Sequence, residues 1–178
     1  MNGSEFISLC SSNPVETPMR MLLLSDGSLT MLLNACLISP VSLQRLRQDE
    51  VGLDKEMAAY IEAEAGQKVI DRDVWLINGT KKVVYANSIL PTSLMRDDIY
   101  NEIARGETPI GTLLSEQSIL TRRDRLQIAK VKSKEICKEL GLPEDTLLWA
   151  RRYRLHTEGG FKGVILEVFS PKIFADKS

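Results

Sequence analysis

The sequence predicts an α+β fold built on one six-stranded, mostly antiparallel sheet, and three observations carry that reading. Six segments, at about 41–50, 67–77, 82–90, 119–131, 147–156 and 162–169, are rich in Val, Ile, Leu or aromatic residues and are bounded by turn formers. Two of the gaps, Asn78-Gly79-Thr80 and Glu158-Gly159-Gly160, are short enough to close hairpins, so strands two and three, and five and six, run antiparallel. Between Pro91 and Gln117 the period changes: Met95, Ile99 and Ile103 recur every four residues, the spacing of a helix face. Helices that interrupt an antiparallel sheet define the α+β class.

Along the chain, residues 1–16 are expected to form a loose N-terminal arm. Helices follow at Thr17 to Leu24 and Ser28 to Leu37, with Asp26-Gly27-Ser28 as the break. Ser28 is the expected cap of the second, its hydroxyl accepting from an otherwise orphaned N–H. Pro40 closes this helical part and strand one starts behind it. Thr92 and Ser93 offer a cap for the helix through Ile103, and a further short helix starts near Thr108-Pro109, where the fixed proline φ suits a first turn. No repeat or low-complexity stretch divides the chain, so residues 1–178 are expected to be a single domain.

Of the 178 residues, 43% are hydrophobic and 26% charged, enough apolar matter for a sizeable core and inconsistent with disorder. Lys and Arg number 23 against 24 Asp and Glu, so the long-range positive field of a nucleic-acid binder is missing and no nucleic-acid partner is expected. The run Met21-Leu22-Leu23-Leu24 falls far short of the ~20 residues that span a bilayer, and no Lys or Arg precedes Arg20 to head a secretory signal. The expectation is a cytoplasmic protein with no membrane insertion, monomeric or weakly homo-oligomeric.

Cys10, Cys36 and Cys137 are odd in number and widely spaced, which suits reduced, mostly buried thiols better than disulfides. The chain has no GxSxG, GxxxxGK[ST], GxGxxG or HExxH, and its single histidine, His156, reads as a surface-turn residue. No metal is expected. The basic run Arg122, Arg123, Arg125, Lys130, Lys132, Lys134 and Lys138 is broken by Asp124 and Glu135 and carries no aromatics for base stacking, so it reads as a solvated strand and helix face.

Strand alternation exposes two charges in apolar company. In strand two, Ile70, Arg72, Val74 and Leu76 share a side; in strand six, Ile165, Glu167 and Phe169 do. An ion buried without a partner costs several kcal/mol, so each must be paired, hydrated or held for a ligand. One reading is a structural Arg72–Glu167 pair, or separate pairs with Arg152 or Arg154. The other is a pocket, in which a guanidinium takes a ligand carboxylate through two parallel hydrogen bonds and a desolvated glutamate meets a hydroxyl.

The residues also carry a family resemblance. Ser25-Asp26-Gly27-Ser28-Leu29-Thr30 after a helix, Arg72-Asp73 in strand two, Leu90-Pro91, and Gly106-Glu107-Thr108-Pro109-Ile110-Gly111 follow in order along the chain. Leu120-Thr121-Arg122, Ala150-Arg151-Arg152-Tyr153-Arg154-Leu155 and Leu166-Glu167-Val168-Phe169 complete the series. In order and spacing the chain resembles the chorismate pyruvate-lyase (4-hydroxybenzoate synthase) family, in its archaeal, cyanobacterial and mycobacterial branch. The resemblance implies helices and flaps closing over an internal pocket on a six-stranded antiparallel sheet. It implies an enzyme that turns chorismate into 4-hydroxybenzoate and pyruvate without a cofactor. It also implies roles: Arg72 for the ring carboxylate, Glu167 for the para hydroxyl, and backbone groups at Leu29 and Ile110 for seating the carboxylate.

Three departures bear on substrate choice. Leu29 stands where the ubiquinone-pathway enzymes have methionine, Asn87 stands where they have an arginine one strand over from Arg72, and about 52–66 aligns poorly and reads as a different flap. The same fold serves as the effector-binding UTRA domain of GntR-type regulators, so a non-catalytic aromatic-acid sensor is the alternative. About 40 residues precede the first strand, short of a separate DNA-binding domain. A lyase for a related chorismate-derived acid is the third reading.

Overall fold

A computed structural model describes residues 15–37, 39–93 and 95–175. Its elements are α1 (Thr17–Leu24), α2 (Leu29–Cys36), β1 (Val41–Gly52), α3 (Lys55–Ile61), β2 (Lys68–Asn78) and β3 (Lys81–Pro91), followed by α4 (Asp97–Arg105), α5 (Ile110–Glu116), β4 (Thr121–Val131), α6 (Lys134–Glu139), β5 (Leu148–Thr157) and β6 (Lys162–Phe169). The strands form one sheet in the order β1-β2-β3-β6-β5-β4, with every neighbouring pair antiparallel. All six expected strands and both expected hairpins are present. Of the expected arm, residues 1–14 and with them Cys10 lie outside the described residues; Val15 packs on the core and Glu16 opens α1.

Register sets the two faces of the sheet. Arg72 pairs laterally with Ser88, Ser88 with Ile165 and Ile165 with Tyr153, while Val74, Ala86, Glu167 and Arg151 form the next row of the same face. α1 and α2 cover one end of this first face with Leu22, Leu23, Leu29 and Leu33 against Leu76, Val84 and Phe169. α4 and α5 cover the other end with Ile99, Ile103, Leu113 and Leu114 against Ile70, Leu90 and Ile165. Burying a leucine as completely as Leu22, Leu23 or Leu33 contributes roughly 1.5–3 kcal/mol. On the second face, α3 lays Leu53, Ala58 and Ile61 on Val69 and Val164, and α6 sets Cys137 on Leu148, Ala150 and Val168.

α3 was not expected from the sequence, because seven residues are too few to display an apolar period, whereas α6 is the helical part of the basic run through Lys138. Their caps are conventional: Asp54 accepts from Met57 N and Ser133 from Ile136 N. Ser28 caps α2 as expected, accepting from Met31 N at 3.4 Å. Thr92 and Ser93 do not cap α4. They tie the chain back to the start of β2 instead, Thr92 Oγ1 donating to Lys68 O and Gln67 Nε2 donating to Ser93 Oγ, and α4 has Arg96 at its N-cap position with Asp97 and Asp98 in its first turn. Cys137 is buried and Cys36 half-buried, both as free thiols.

Three bulges bend the sheet. Each adds one residue on one strand: Leu46 in β1, Val83 in β3, and one residue within Arg125-Leu126 of β4, where Arg125 has φ 51. Among the described residues, no helix is long and apolar enough to cross a membrane.

Candidate functional site

The first face of the sheet and the N-termini of α2 and α5 enclose a cavity of about 50 Å³. Leu29, Arg72, Ile110 and Glu167, the four residues singled out from the sequence, all line it, together with Arg123 and Tyr153. Leu29 and Ile110 are the first residues of their helices, where backbone N–H groups have no intrahelical acceptor. The two helix ends abut closely at Gly111, where a Cβ would meet Ser28 Oγ at 3.2 Å.

Arg72 is 1% exposed and makes one hydrogen bond, from Nη2 to Thr108 O at 3.2 Å, while its Nε is buried without a partner. Among the described residues, no carboxylate lies in ion-pairing reach of it. Burial, aided by the charge of Arg45, pulls its pKa down to about 10. Among the described residues, Arg72 is therefore a buried cation with no compensating charge.

Glu167 is in the opposite condition. Its Oε2 accepts from Arg151 Nε, and its Oε1 accepts from the Tyr153 hydroxyl at 3.1 Å. Arg151, 1% exposed, also donates through Nη1 to Leu22 O at 2.6 Å and Ser25 O at 2.8 Å, the carbonyls at the C-terminal end of α1. Burial pulls the Arg151 guanidinium down, but the Glu167 carboxylate overcomes it and holds the group above its ordinary value. Burial first, and then the Glu167 charge, push the Tyr153 phenol up, which keeps it a neutral donor.

These contacts exclude the structural ion pair that is one of the two readings of the sequence. Arg72 and Glu167 share a face and a cavity but no bond. Neither is met by Arg152 or Arg154, which lie on the second face: Arg152 donates to Gln127 Oε1, and Arg154 pairs with Asp124 at 2.8 Å and with Glu62 at 2.8 Å. The partner of Glu167 is Arg151, which the sequence reading missed. Counting outward from the turn at Gly159-Gly160 pairs His156 with Lys162 and, five residues on, Arg151 with Glu167, so the signal was there.

Four further placements differ from expectation. Arg123 does not belong to a solvated face: it lines the cavity, its Nη1 donates to Asp26 O at 2.5 Å, and its guanidinium lies 5.4 Å from the Tyr153 ring centroid. Asn87 points to the second face, donating to Asp71 Oδ1 and Asp73 Oδ1 at 2.8 Å each, away from the cavity. The 52–66 segment forms α3 on that same second face, where Glu62 holds Arg125, Arg154 and Lys162, so it does not close over the cavity. His156 sits within β5, its side chain 13% exposed with Nε2 2.9 Å from Asp124 Oδ1, and is no turn residue.

This fold recurs among solved structures. PhnF from Mycobacterium smegmatis superposes with a TM-score of 0.70 at 14% identity, over 84% of this chain and 66% of that one. The ligand-binding domain of a putative GntR-family transcriptional regulator from Bordetella bronchiseptica gives 0.62 at 21% identity, over 74% of this chain and 86% of that one. The fold is therefore one that the Bordetella regulator uses as a ligand-binding domain, and at these identities the likeness is of fold alone.

Sequence narrows the class further. The chain belongs to the chorismate pyruvate-lyase Rv2949c-like family, whose model matches residues 23–175. A probable chorismate pyruvate-lyase of Pseudoalteromonas translucida is 32% identical over 108 residues, 57% of this chain and 57% of that protein. Another, of Nitrosospira multiformis, is 27% identical over 151 residues, 83% of each.

Proposed function

We propose that the protein is a chorismate pyruvate-lyase, forming 4-hydroxybenzoate and pyruvate from chorismate with no cofactor in the reaction. The observation that carries this reading is Arg72, a buried guanidinium that faces a cavity and has no anionic partner among the described residues. A ring carboxylate supplies the missing charge through two parallel hydrogen bonds. Leu29 and Ile110 add backbone N–H groups at the same end. Glu167 is two strands and one row away on the same face, roughly 12 Å between Cα atoms by strand spacing and rise, which leaves room for a ring between the two side chains. Its carboxylate, held in place by Arg151 and Tyr153, retains lone pairs to accept from the para hydroxyl.

In the reaction, the C3–O ether bond of chorismate breaks and the C4 hydrogen passes to the methylene carbon of the departing side chain. That carbon becomes the methyl group of pyruvate, and the new C3–C4 double bond completes the aromatic ring. Atoms balance without water or a redox partner. The protein's part is orientation, exclusion of water and stabilisation of negative charge growing on the ether oxygen. A cavity of about 50 Å³ is smaller than the ~150 Å³ that accepts benzene in an engineered core, so the helix ends over it part to admit a ring. Incubation with chorismate tests the proposal: 4-hydroxybenzoate and pyruvate should form in equal amounts.

The fold shared with the Bordetella ligand-binding domain favours one second reading, a non-catalytic aromatic-acid sensor. Binding of 4-hydroxybenzoate with no turnover of chorismate would select it.

A further inference from the structure

Chorismate carries two carboxylates, and Arg72 answers one of them. Arg123 stands at the place where the closed cavity meets a surface cleft of about 330 Å³ between the N-terminus of α2, α5 and the start of β4. Its Nε is buried without a partner, its Nη1 donates to the Asp26 carbonyl, and among the described residues no carboxylate pairs with it. The Tyr153 ring carries its guanidinium on one side of the cavity wall; Arg151, at 5.3 Å from the same ring, is already neutralised by Glu167. Among the described residues, the charged side chains of the cavity thus leave two positive charges unanswered, Arg72 and Arg123.

We propose that Arg123 binds the enolpyruvyl carboxylate of the substrate and selects aromatic-ring dicarboxylates over monocarboxylates. The assignment rests on the lyase reading and goes beyond it by naming a specificity-determining residue. Order along the sheet supports it. Arg72 on β2 and Glu167 on β6 hold the C1 and C4 ends of the ring, and Arg123 on β4 lies beyond Glu167 on the same face, on the side where C3, the neighbour of C4, carries its side chain. After the ether breaks, the second carboxylate leaves with pyruvate on the side of the open cleft, while the ring product stays on Arg72.

Calorimetry with two unreactive ligands tests this: 4-hydroxybenzoate and its dicarboxylate ether, 3-(carboxymethoxy)-4-hydroxybenzoate. Arg123→Met should weaken the dicarboxylate about 30-fold, the worth of a charge-assisted hydrogen bond, and leave 4-hydroxybenzoate within about threefold. Arg123→Lys should fall between, since it keeps the charge and loses the fork. Binding of 4-hydroxybenzoate reports that the variant is folded; Arg123→Gln is the second neutral variant if Arg123→Met is not. Equal weakening of both ligands, or none, overturns the proposal. Chorismate turnover by the wild type is read separately. Turnover without Arg123-dependent selectivity removes this inference and leaves the lyase; selectivity without turnover removes the lyase and leaves the carboxylate site.

Discussion

Replacing Arg72 with methionine should make the unliganded protein more stable. Holding the buried guanidinium at a pKa of about 10 against an ordinary 12.5 corresponds to about 3 kcal/mol of unfavourable burial. Methionine keeps most of the volume and removes that charge, but it also takes the donor from Thr108 O, a loss of about 1 kcal/mol. The net gain is about 2 kcal/mol, or roughly 4–8 °C in melting temperature for a chain of this size. The sign with pH is fixed as well. Arg72 has a lowered pKa, so its penalty is present in full below pH 10 and is relieved only as pH rises through 10 toward 12.5, where the unfolded chain alone still binds the proton. The gap between variant and wild type should therefore be the same at pH 6 and pH 9. Thermal unfolding with and without 4-hydroxybenzoate is the assay. At a hundredfold excess over Kd the ligand should stabilise the wild type by about 2.7 kcal/mol and Arg72→Met not at all. An unliganded Arg72→Met less stable than the wild type, or one still stabilised by the ligand, would refute the assignment of Arg72 as the carboxylate-binding residue.

Other expectations follow from the same contacts. Glu167→Gln leaves Arg151 buried without its counter-charge and should lower stability by about 3–5 kcal/mol in urea unfolding; adding Arg151→Met should recover part of that loss. Asn87→Ala should leave the Kd for 4-hydroxybenzoate within about twofold, because Asn87 lies on the far face of the sheet; a tenfold change would contradict its placement. Hydrogen bonds from Arg154 and then Lys162 hold the Glu62 carboxyl down to about 2, so its contribution is present above pH 4.5 and lost as pH falls toward 2. Glu62→Gln should accordingly flatten the acid unfolding curve in that window, and an unchanged curve would show that the α3 anchor is not electrostatic.

Much of the sheet was legible because strand alternation and two tight turns are local signals. Arg72 and Glu167 stood out for the reason that matters physically, an ion among Val, Leu and Ile side chains. Where legibility failed, a bulge or an unseen layer intervened. Counting back from the Asn78-Gly79-Thr80 turn pairs Asn87 with Arg72, but the extra Val83 shifts the register by one and sets Asn87 against Asp73 on the other face. The α3 segment reads as a flap until its Leu53, Ala58 and Ile61 are seen on Val69 and Val164. Arg123 looked solvated within a run of basic residues, since only the fold brings Tyr153 and the end of α2 against it. The Arg151–Glu167 pair is the one part of the site that careful counting from a turn recovers.

The central claim meets its most direct test in one incubation. Purified protein is mixed with chorismate alone, and 4-hydroxybenzoate and pyruvate are measured over time beside a protein-free control. Equal amounts of both, formed faster than in the control and not by Arg72→Met, are the predicted result. Chorismate that disappears no faster than in the control, under conditions where 4-hydroxybenzoate still binds, would contradict the lyase and leave a protein that only holds aromatic acids.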